Sequence, residues 1–141
     1  MYISDILKFK GRNVVTTSPR TSVTTLLAML AEHNIGALVV TNGEDVVGIV
    51  SERDVVRKLH EIGGDLLQGT VEQIMSTPVV SCSSHDPLDT VAQTMTDSRI
   101  RHLPVIDDDR LVGIVTIGDV VLSRTRQLEE DRRRLEQYIS G

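Results

Sequence analysis

The chain repeats itself. Displaced by 65 positions, Val14-Val15-Thr16 falls on Val79-Val80-Ser81, and Ile35-Gly36-Ala37-Leu38-Val39-Val40 falls on Ile100-Arg101-His102-Leu103-Pro104-Val105. The same shift lays Val47-Gly48-Ile49-Val50-Ser51-Glu52-Arg53-Asp54-Val55-Val56 on Val112-Gly113-Ile114-Val115-Thr116-Ile117-Gly118-Asp119-Val120-Val121. The match runs without a gap over residues 14–56. In the last block seven of ten positions are identical, and Ser51/Thr116 is conservative. Apolar segments alike by chance would not also keep a glycine and an aspartate in register. The fold is therefore expected to be two copies of one unit.

Each copy shows the same order of elements. A short apolar run (14–16, 79–82) precedes a helical stretch. Val23, Leu26, Leu27 and Leu30 have helix spacing, as do Leu88, Val91, Ala92 and Met95. Ser22 predicts a cap for the first helix, and Asp86-Pro87 a start for the second. Two nearly all-apolar strands follow, over 37–41 and 46–51, joined by Asn42-Gly43-Glu44-Asp45, a hairpin signal. Asp107-Asp108-Asp109-Arg110 takes that place in the second copy. A second helix opens at Ser51 or Thr116. The unit reads β-α-β-β-α, an α+β fold. Val, Ile and Leu dominate the apolar residues, with one Phe, two Tyr and no Trp. Branched aliphatics of this kind suit buried strands covered by helices. At 141 residues a chain hides roughly two-thirds of its unfolded surface, enough for a core without staples.

The two repeats are expected over residues 1–62 and 71–125. The glycine-bearing stretch 63–70 reads as a linker, and 126–141 as a C-terminal helical tail. In that tail Val121, Leu128 and Leu135 recur every seven residues, with charge pairs such as Glu129–Arg133 and Glu130–Arg134. Two readings stay open: a solvated helix packed on its own domain, or a contact with a partner or second copy.

Several classes of function are disfavoured. The single cysteine, Cys82, has no internal partner and reads as a small buried residue, so no oxidising compartment is indicated. Residues 1–10 lack a signal-peptide apolar run, and no stretch approaches a membrane span. A cytoplasmic protein is expected. The net charge of −5 argues against nucleic acid as main partner. His33, His60, His85 and His102 lack metal-ligand spacing, and Asp107-Asp108-Asp109 is a polar turn without the rest of a Ca²⁺ loop. No nucleophile–base pair stands out, so no enzyme is expected.

The informative motif is Gly-Ile-Val-Ser/Thr-x-x-Asp, present at residues 48–54 and 113–119. It falls where a strand becomes a helix. A helix N-terminus presents unpaired N–H groups and a positive dipole end, so it can hold phosphate, and a carboxylate can accept from both ribose hydroxyls. The same residues also spell a capping box, an ordinary way to start a helix. Capping and ligand binding can coexist.

These residues resemble a tandem pair of cystathionine-β-synthase (CBS) domains, a Bateman module. The resemblance covers about residues 3–125. It rests on Ile100-Arg101-His102-Leu103-Pro104-Val105-Ile106-Asp107, on the two Gly-Ile-Val-Ser/Thr-x-x-Asp blocks, and on Ile74-Met75-Ser76-Thr77-Pro78, which the first copy keeps only as Ser4-Asp5-Ile6-Leu7. It implies two clefts between pseudo-two-fold-related repeats that take an adenosine compound: AMP, ADP, ATP or NAD, and in some members S-adenosylmethionine. Asp54 and Asp119 would hold ribose, Ser51 and Thr116 phosphate or ribose, and Ile49 and Ile114 would pack on adenine. Val15, Ile35 and Gly36 would complete the Asp119 site; Val80, Ile100 and Arg101 would complete the Asp54 site. Arg53 and Arg101 would meet phosphate, with His102 assisting; surface ion pairs are the alternative for both arginines. The clefts should differ in charge, because Arg53 faces Gly118 in the repeat and Gly36-Ala37 faces Arg101-His102. The resemblance further implies a stand-alone regulatory sensor, or else an adaptor without ligand. Either would pair as a homodimer through its helices and signal to an unidentified effector protein. The apolar helix faces around residues 23–30 and 88–95 are expected to supply part of that dimer surface.

Overall fold

The computed structural model describes residues 1–140. In chain order the elements are α1 (Ile3–Lys10), β1 (Thr16–Thr17), α2 (Val23–His33), β2 (Ala37–Asn42), β3 (Asp45–Ser51), α3 (Glu52–Ile62), a 3₁₀ helix (Gly63–Gln68), α4 (Val71–Ile74), α5 (Leu88–Ser98), β4 (His102–Asp107), β5 (Arg110–Thr116) and α6 (Ile117–Ser140). β2 and β3 pair antiparallel with Val39 opposite Ile49, and β1 joins β2 in parallel at Thr16–Val39. β4 and β5 repeat that register, with Pro104 opposite Ile114, and both hairpins carry an irregularity at the same point. In the second copy the run at 79–82 reduces to one parallel bridge, Cys82 to Val105, so the expected strand there is minimal.

The repeat is visible in the packing. One core holds Val23, Leu26, Leu30, Leu38, Val40, Val50 and Val55. The other holds Leu88, Val91, Met95, Leu103, Val105, Val115 and Val120, each 65 residues on. The helical and strand periodicities thus converge on one apolar layer between helices and sheet in each copy. Val23, Leu26 and Leu30, and Leu88, Val91, Ala92 and Met95, are taken up by these cores, which leaves Leu27 as the exposed large apolar side chain on the two faces expected to supply part of a dimer surface. Other exposed apolar side chains include Val56, Leu59 and Ile62 on α3, Val121, Leu122, Leu128 and Leu135 on α6, and Phe9 on α1.

The opening helices are exchanged. Ile3, Ile6 and Leu7 of α1 belong to the core of the second repeat, while Val71 and Ile74 of α4 belong to that of the first. Backbone bonds fix both exchanges: Ile3 N–H to Asp86 C=O at 3.0 Å and Leu88 N–H to Met1 C=O at 2.9 Å, Val71 N–H to Thr21 C=O at 2.9 Å and Val23 N–H to Gly69 C=O at 3.0 Å. Those bonds also satisfy orphan N–H groups at the starts of α2 and α5. Ser22 caps α2 by accepting from Thr25 N–H at 3.1 Å. Pro87 is itself the N-cap residue of α5 rather than its first helical residue, and it offers no side-chain cap.

The 63–70 stretch is not a slack connection. Six of its residues form the 3₁₀ helix, and Leu66 is buried in the first core. Thr24 Oγ1 donates to Leu67 C=O at 3.2 Å, tying the segment to α2. The hairpin turns differ in detail. Gly43 has φ +64°, whereas Asp108 and Asp109 both adopt left-handed φ (49° and 62°), which aspartate tolerates better than most residues. Asp107, just before that turn, accepts from Ser83 Oγ at 2.9 Å, Ser84 N–H at 3.0 Å and Ser84 Oγ at 2.5 Å. It anchors the segment leading into α5, a role beyond the polar turn expected of it.

α6 runs without a break from the motif at Asp119 through the expected tail. Leu128 and Leu135 remain exposed. Arg124 reaches back to Asp89 of α5 at 2.8 Å. Within the tail the ion pair is Arg132–Glu136 at 3.7 Å; the pairs Glu129–Arg133 and Glu130–Arg134 are not among those of the described residues. Among the described residues no helix is long and apolar enough to cross a membrane.

Candidate functional site

Both copies of the motif close as capping boxes. Ser51, the last residue of β3, caps α3: Asp54 N–H donates to Ser51 Oγ at 3.3 Å, and Asp54 Oδ2 accepts from Ser51 N–H at 2.8 Å and Ser51 Oγ at 3.0 Å. Asp119 N–H donates to Thr116 Oγ1 at 3.1 Å, and Asp119 Oδ2 accepts from Thr116 N–H at 2.9 Å. The cap holds each carboxylate at the first turn of a helix, at the end of a buried strand. Glu52 N–H donates to Gly36 C=O and Ile117 N–H to Arg101 C=O, both at 2.9 Å, so each helix start is also pinned to the start of the neighbouring strand.

A cleft of about 580 Å³ opens beside Asp54, within the size of small-ligand sites. Both repeats line it. Gly36, Ile49, Ser51, Arg53 and Asp54 come from one side, and Val80, Ile100, Arg101 and His102 from the other. Nine of the fourteen residues proposed from sequence therefore meet in one place. Gly36, expected beside Asp119, lines the Asp54 cleft instead; a Cβ there would stand 3.3 Å from His102 Nε2, so the missing side chain admits the imidazole. Val15 and Ile35 pack on the first core, and Ile114 sits in β5 opposite Pro104.

Four guanidinium groups border the cleft: Arg53, Arg57, Arg99 and Arg101, against the carboxylates Glu52 and Asp54. Arg57 and Arg99 were missed from the sequence. Arg57 stands four residues after Arg53, the same face of α3, so helix spacing carried a signal. Arg99 is set by geometry alone: it is the left-handed C-cap of α5, φ 55°, where the chain reverses toward Ile100 and Arg101. Ser76 was missed as well. Its chain segment pairs with β3 through Ile49, and its Oγ donates to Asp54 Oδ1 at 3.3 Å.

His102 supplies less positive charge than its residue type promised. Burial, then the Lys10 ammonium, hold its pKa below the ordinary 6.5, which favours its neutral form. The charge of the cleft is arginine charge. Cys82 is buried, and burial together with Asp86 and Asp107 pushes its thiol up to about 12. No group of three or more His, Cys, Asp or Glu among the described residues is placed to hold a metal ion.

Asp119 has different surroundings. Lys10, the last residue of α1, donates from Nζ to Asp119 Oδ2 at 2.6 Å. The pair sits at one end of a groove of about 600 Å³ between α1 and α6, beside Phe9, which Arg126 overlies at 4.4 Å from the ring centroid.

Two duplicated α/β units with a shared, arginine-rimmed cleft define a paired-repeat module. A family model for the CBS domain matches the chain twice, over residues 3–61 and 71–124. The chain belongs to the CBS-domain family and carries two copies in tandem. It is 35% identical over 148 residues to the mitochondrial CBS domain-containing protein CBSX3 of Arabidopsis thaliana, covering 99% of this chain and 72% of that one. Its fold matches the crystal structure of the CBS-domain containing protein ATU1752 from Agrobacterium tumefaciens with a TM-score of 0.86 at 41% identity, over 88% of this chain and 99% of the other. It also matches the CBS domain pair of protein MJ0100 in complex with 5′-methylthioadenosine and S-adenosyl-L-methionine. There the TM-score is 0.80 at 29% identity, over 90% and 98% of the two chains.

Proposed function

We propose that the protein is a cytosolic, non-catalytic sensor that binds an adenine nucleotide (AMP, ADP, ATP or NAD) in the Asp54 cleft and passes the occupancy of that cleft to a partner protein. One observation carries the reading: Asp54 and four arginines line a single cleft walled by both repeats. In it Asp54 accepts from the ribose hydroxyls, Ile49, Val80 and Ile100 offer apolar contact to the base, and Arg53, Arg57, Arg99 and Arg101 receive phosphate oxygens, which guanidinium matches in geometry. The solved complex of MJ0100 with adenosine compounds supports the ligand class, since that chain shares the fold. The cation balance favours nucleotides with phosphate over a sulfonium ligand here. A ligand that touches both walls favours the relative orientation in which they fit it, and shifts the pair only by its difference in affinity between orientations.

The test is calorimetry and thermal shift with adenosine, AMP, ADP, ATP and NAD on the wild-type protein and on Asp54→Ala. A ligand at a hundred times its Kd raises stability by about 2.7 kcal/mol. Absence of heat and of any melting shift with every nucleotide would sink the reading.

A second reading is favoured by α6. Its seven-residue row Val121, Leu128, Leu135 is exposed among the described residues. In this reading the protein is a homodimeric adaptor acting by contact alone. Sedimentation of the wild type against a Leu128→Glu/Leu135→Glu variant separates the two, because a sensor keeps nucleotide binding whichever way the helix pairs.

A further inference from the structure

The two motif carboxylates differ in their neighbours: Ser76 bonds Asp54 Oδ1, whereas Lys10 bonds Asp119 Oδ2, the oxygen that also takes the cap N–H of Thr116. At the first, the neighbour of Asp54 is a neutral hydroxyl, Ser76 Oγ, at a long 3.3 Å. At the second, the neighbour of Asp119 is the Lys10 ammonium at 2.6 Å. A ribose hydroxyl displaces the first readily. It cannot match the second, a charge-assisted bond in which both side chains are only a fifth to a third exposed.

The cause lies in the two opening helices. Leu7 in α1 and Met75 after α4 hold equivalent posts, each filling the space above a β-strand glycine, Gly113 and Gly48. Beyond Met75 the chain leaves the helix (ψ 151°) and runs extended toward Pro78, which lacks the N–H a further turn needs. Beyond Leu7 no proline intervenes, and α1 continues to Lys10 with Gly11 as its C-cap. The extra turn carries a lysine over the second carboxylate. Its charge also suits the helix C-terminus.

We propose that Lys10 occupies the Asp119 carboxylate and keeps ribose from it, so that the chain takes up one nucleotide, at Asp54, and Lys10 is the residue that decides this occupancy. The inference rests on the adenine-nucleotide reading of the Asp54 cleft.

Calorimetric titration with ADP on four proteins tests it: wild type, Lys10→Met, Asp54→Ala and the Lys10→Met/Asp54→Ala double variant. Methionine keeps the aliphatic stem and removes the charge, and the core residues of α1 are untouched; Lys10→Gln serves as the second substitution should Lys10→Met fold poorly. The expected stoichiometries per chain are one, two, none and one. Two nucleotides on the wild type, one on Lys10→Met and Lys10→Gln, or a site surviving in Asp54→Ala while Lys10 is present would each overturn the inference and leave the Asp54 reading standing. No uptake by any of the proteins would overturn both.

Discussion

Gly48 and Met75 pack so closely that a Cβ on the glycine would stand 2.6 Å from the methionine sulfur. A Cβ on Gly113 would stand the same 2.6 Å from Leu7 Cδ2. The glycine in each motif thus admits the exchanged helix of the other half. Gly48→Ala and Gly113→Ala should each lower stability by about 1–3 kcal/mol, the range for overpacking a filled site. Gly113→Ala should cost more, because Leu7 is fully buried and branched, whereas Met75 is only partly buried and flexible. Urea unfolding of both variants gives the comparison; equal stability to the wild type at both would show that the contact is slack.

Leu66 is 2% exposed and its neighbour Leu67 is 43% exposed. Leu66→Ala should cost about 2–5 kcal/mol and Leu67→Ala within about 0.5 kcal/mol. A flexible connection would give the same small change at both, so the pair of melts decides whether the 3₁₀ segment is structural.

His102 makes stability depend on pH. Its folded pKa lies below 6.5, so the unfolded chain binds the proton more readily. The contribution is present in full above pH 6.5 and declines as pH falls through the unfolded value toward the folded one. His102→Gln should flatten the slope of stability between pH 7 and pH 5. An unchanged slope would place the titration elsewhere.

On the nucleotide reading proposed above, Arg53→Ala and Arg101→Ala would each remove a charge-assisted partner of phosphate. The expected loss is about 1.5–3 kcal/mol, or roughly 10- to 150-fold in Kd for ATP, with little change for adenosine. Equal weakening of both ligands would mean that the arginines support the cleft rather than read phosphate.

Cys82, at about 12, should resist thiol reagents at pH 8 in the folded protein and react once the chain is unfolded in denaturant. Fast labelling of the native protein would contradict its burial.

The doubled unit, the strands and the two helices of each copy could be read from residues alone, because the 65-residue register carries local periodicity, glycine and aspartate together. Asp54, Ser51, Arg53 and Arg101 were legible for the same reason: they sit in or beside the repeated blocks. The exchange of α1 and α4 was not. It depends on which apolar face meets which core, and Ile3, Ile6 and Leu7 look equally suited to either. Lys10 was illegible for a related reason. It lies outside the matched 14–56 block, 109 residues from Asp119, and only the length of α1 brings them together. The tail ion pairs show the limit of spacing rules on an exposed helix, where several partners of similar worth compete.

The crossing of the two opening helices constrains how the chain could ever be divided. A fragment ending at residue 62 would carry Ile3, Ile6 and Leu7 into water and leave its own core without Val71 and Ile74. The complementary fragment would have the opposite defect. Each piece holds the other's lid, so proteolytic nicking between them should yield a non-covalent pair rather than two independent folded halves, and melting should proceed as a single event across the whole molecule.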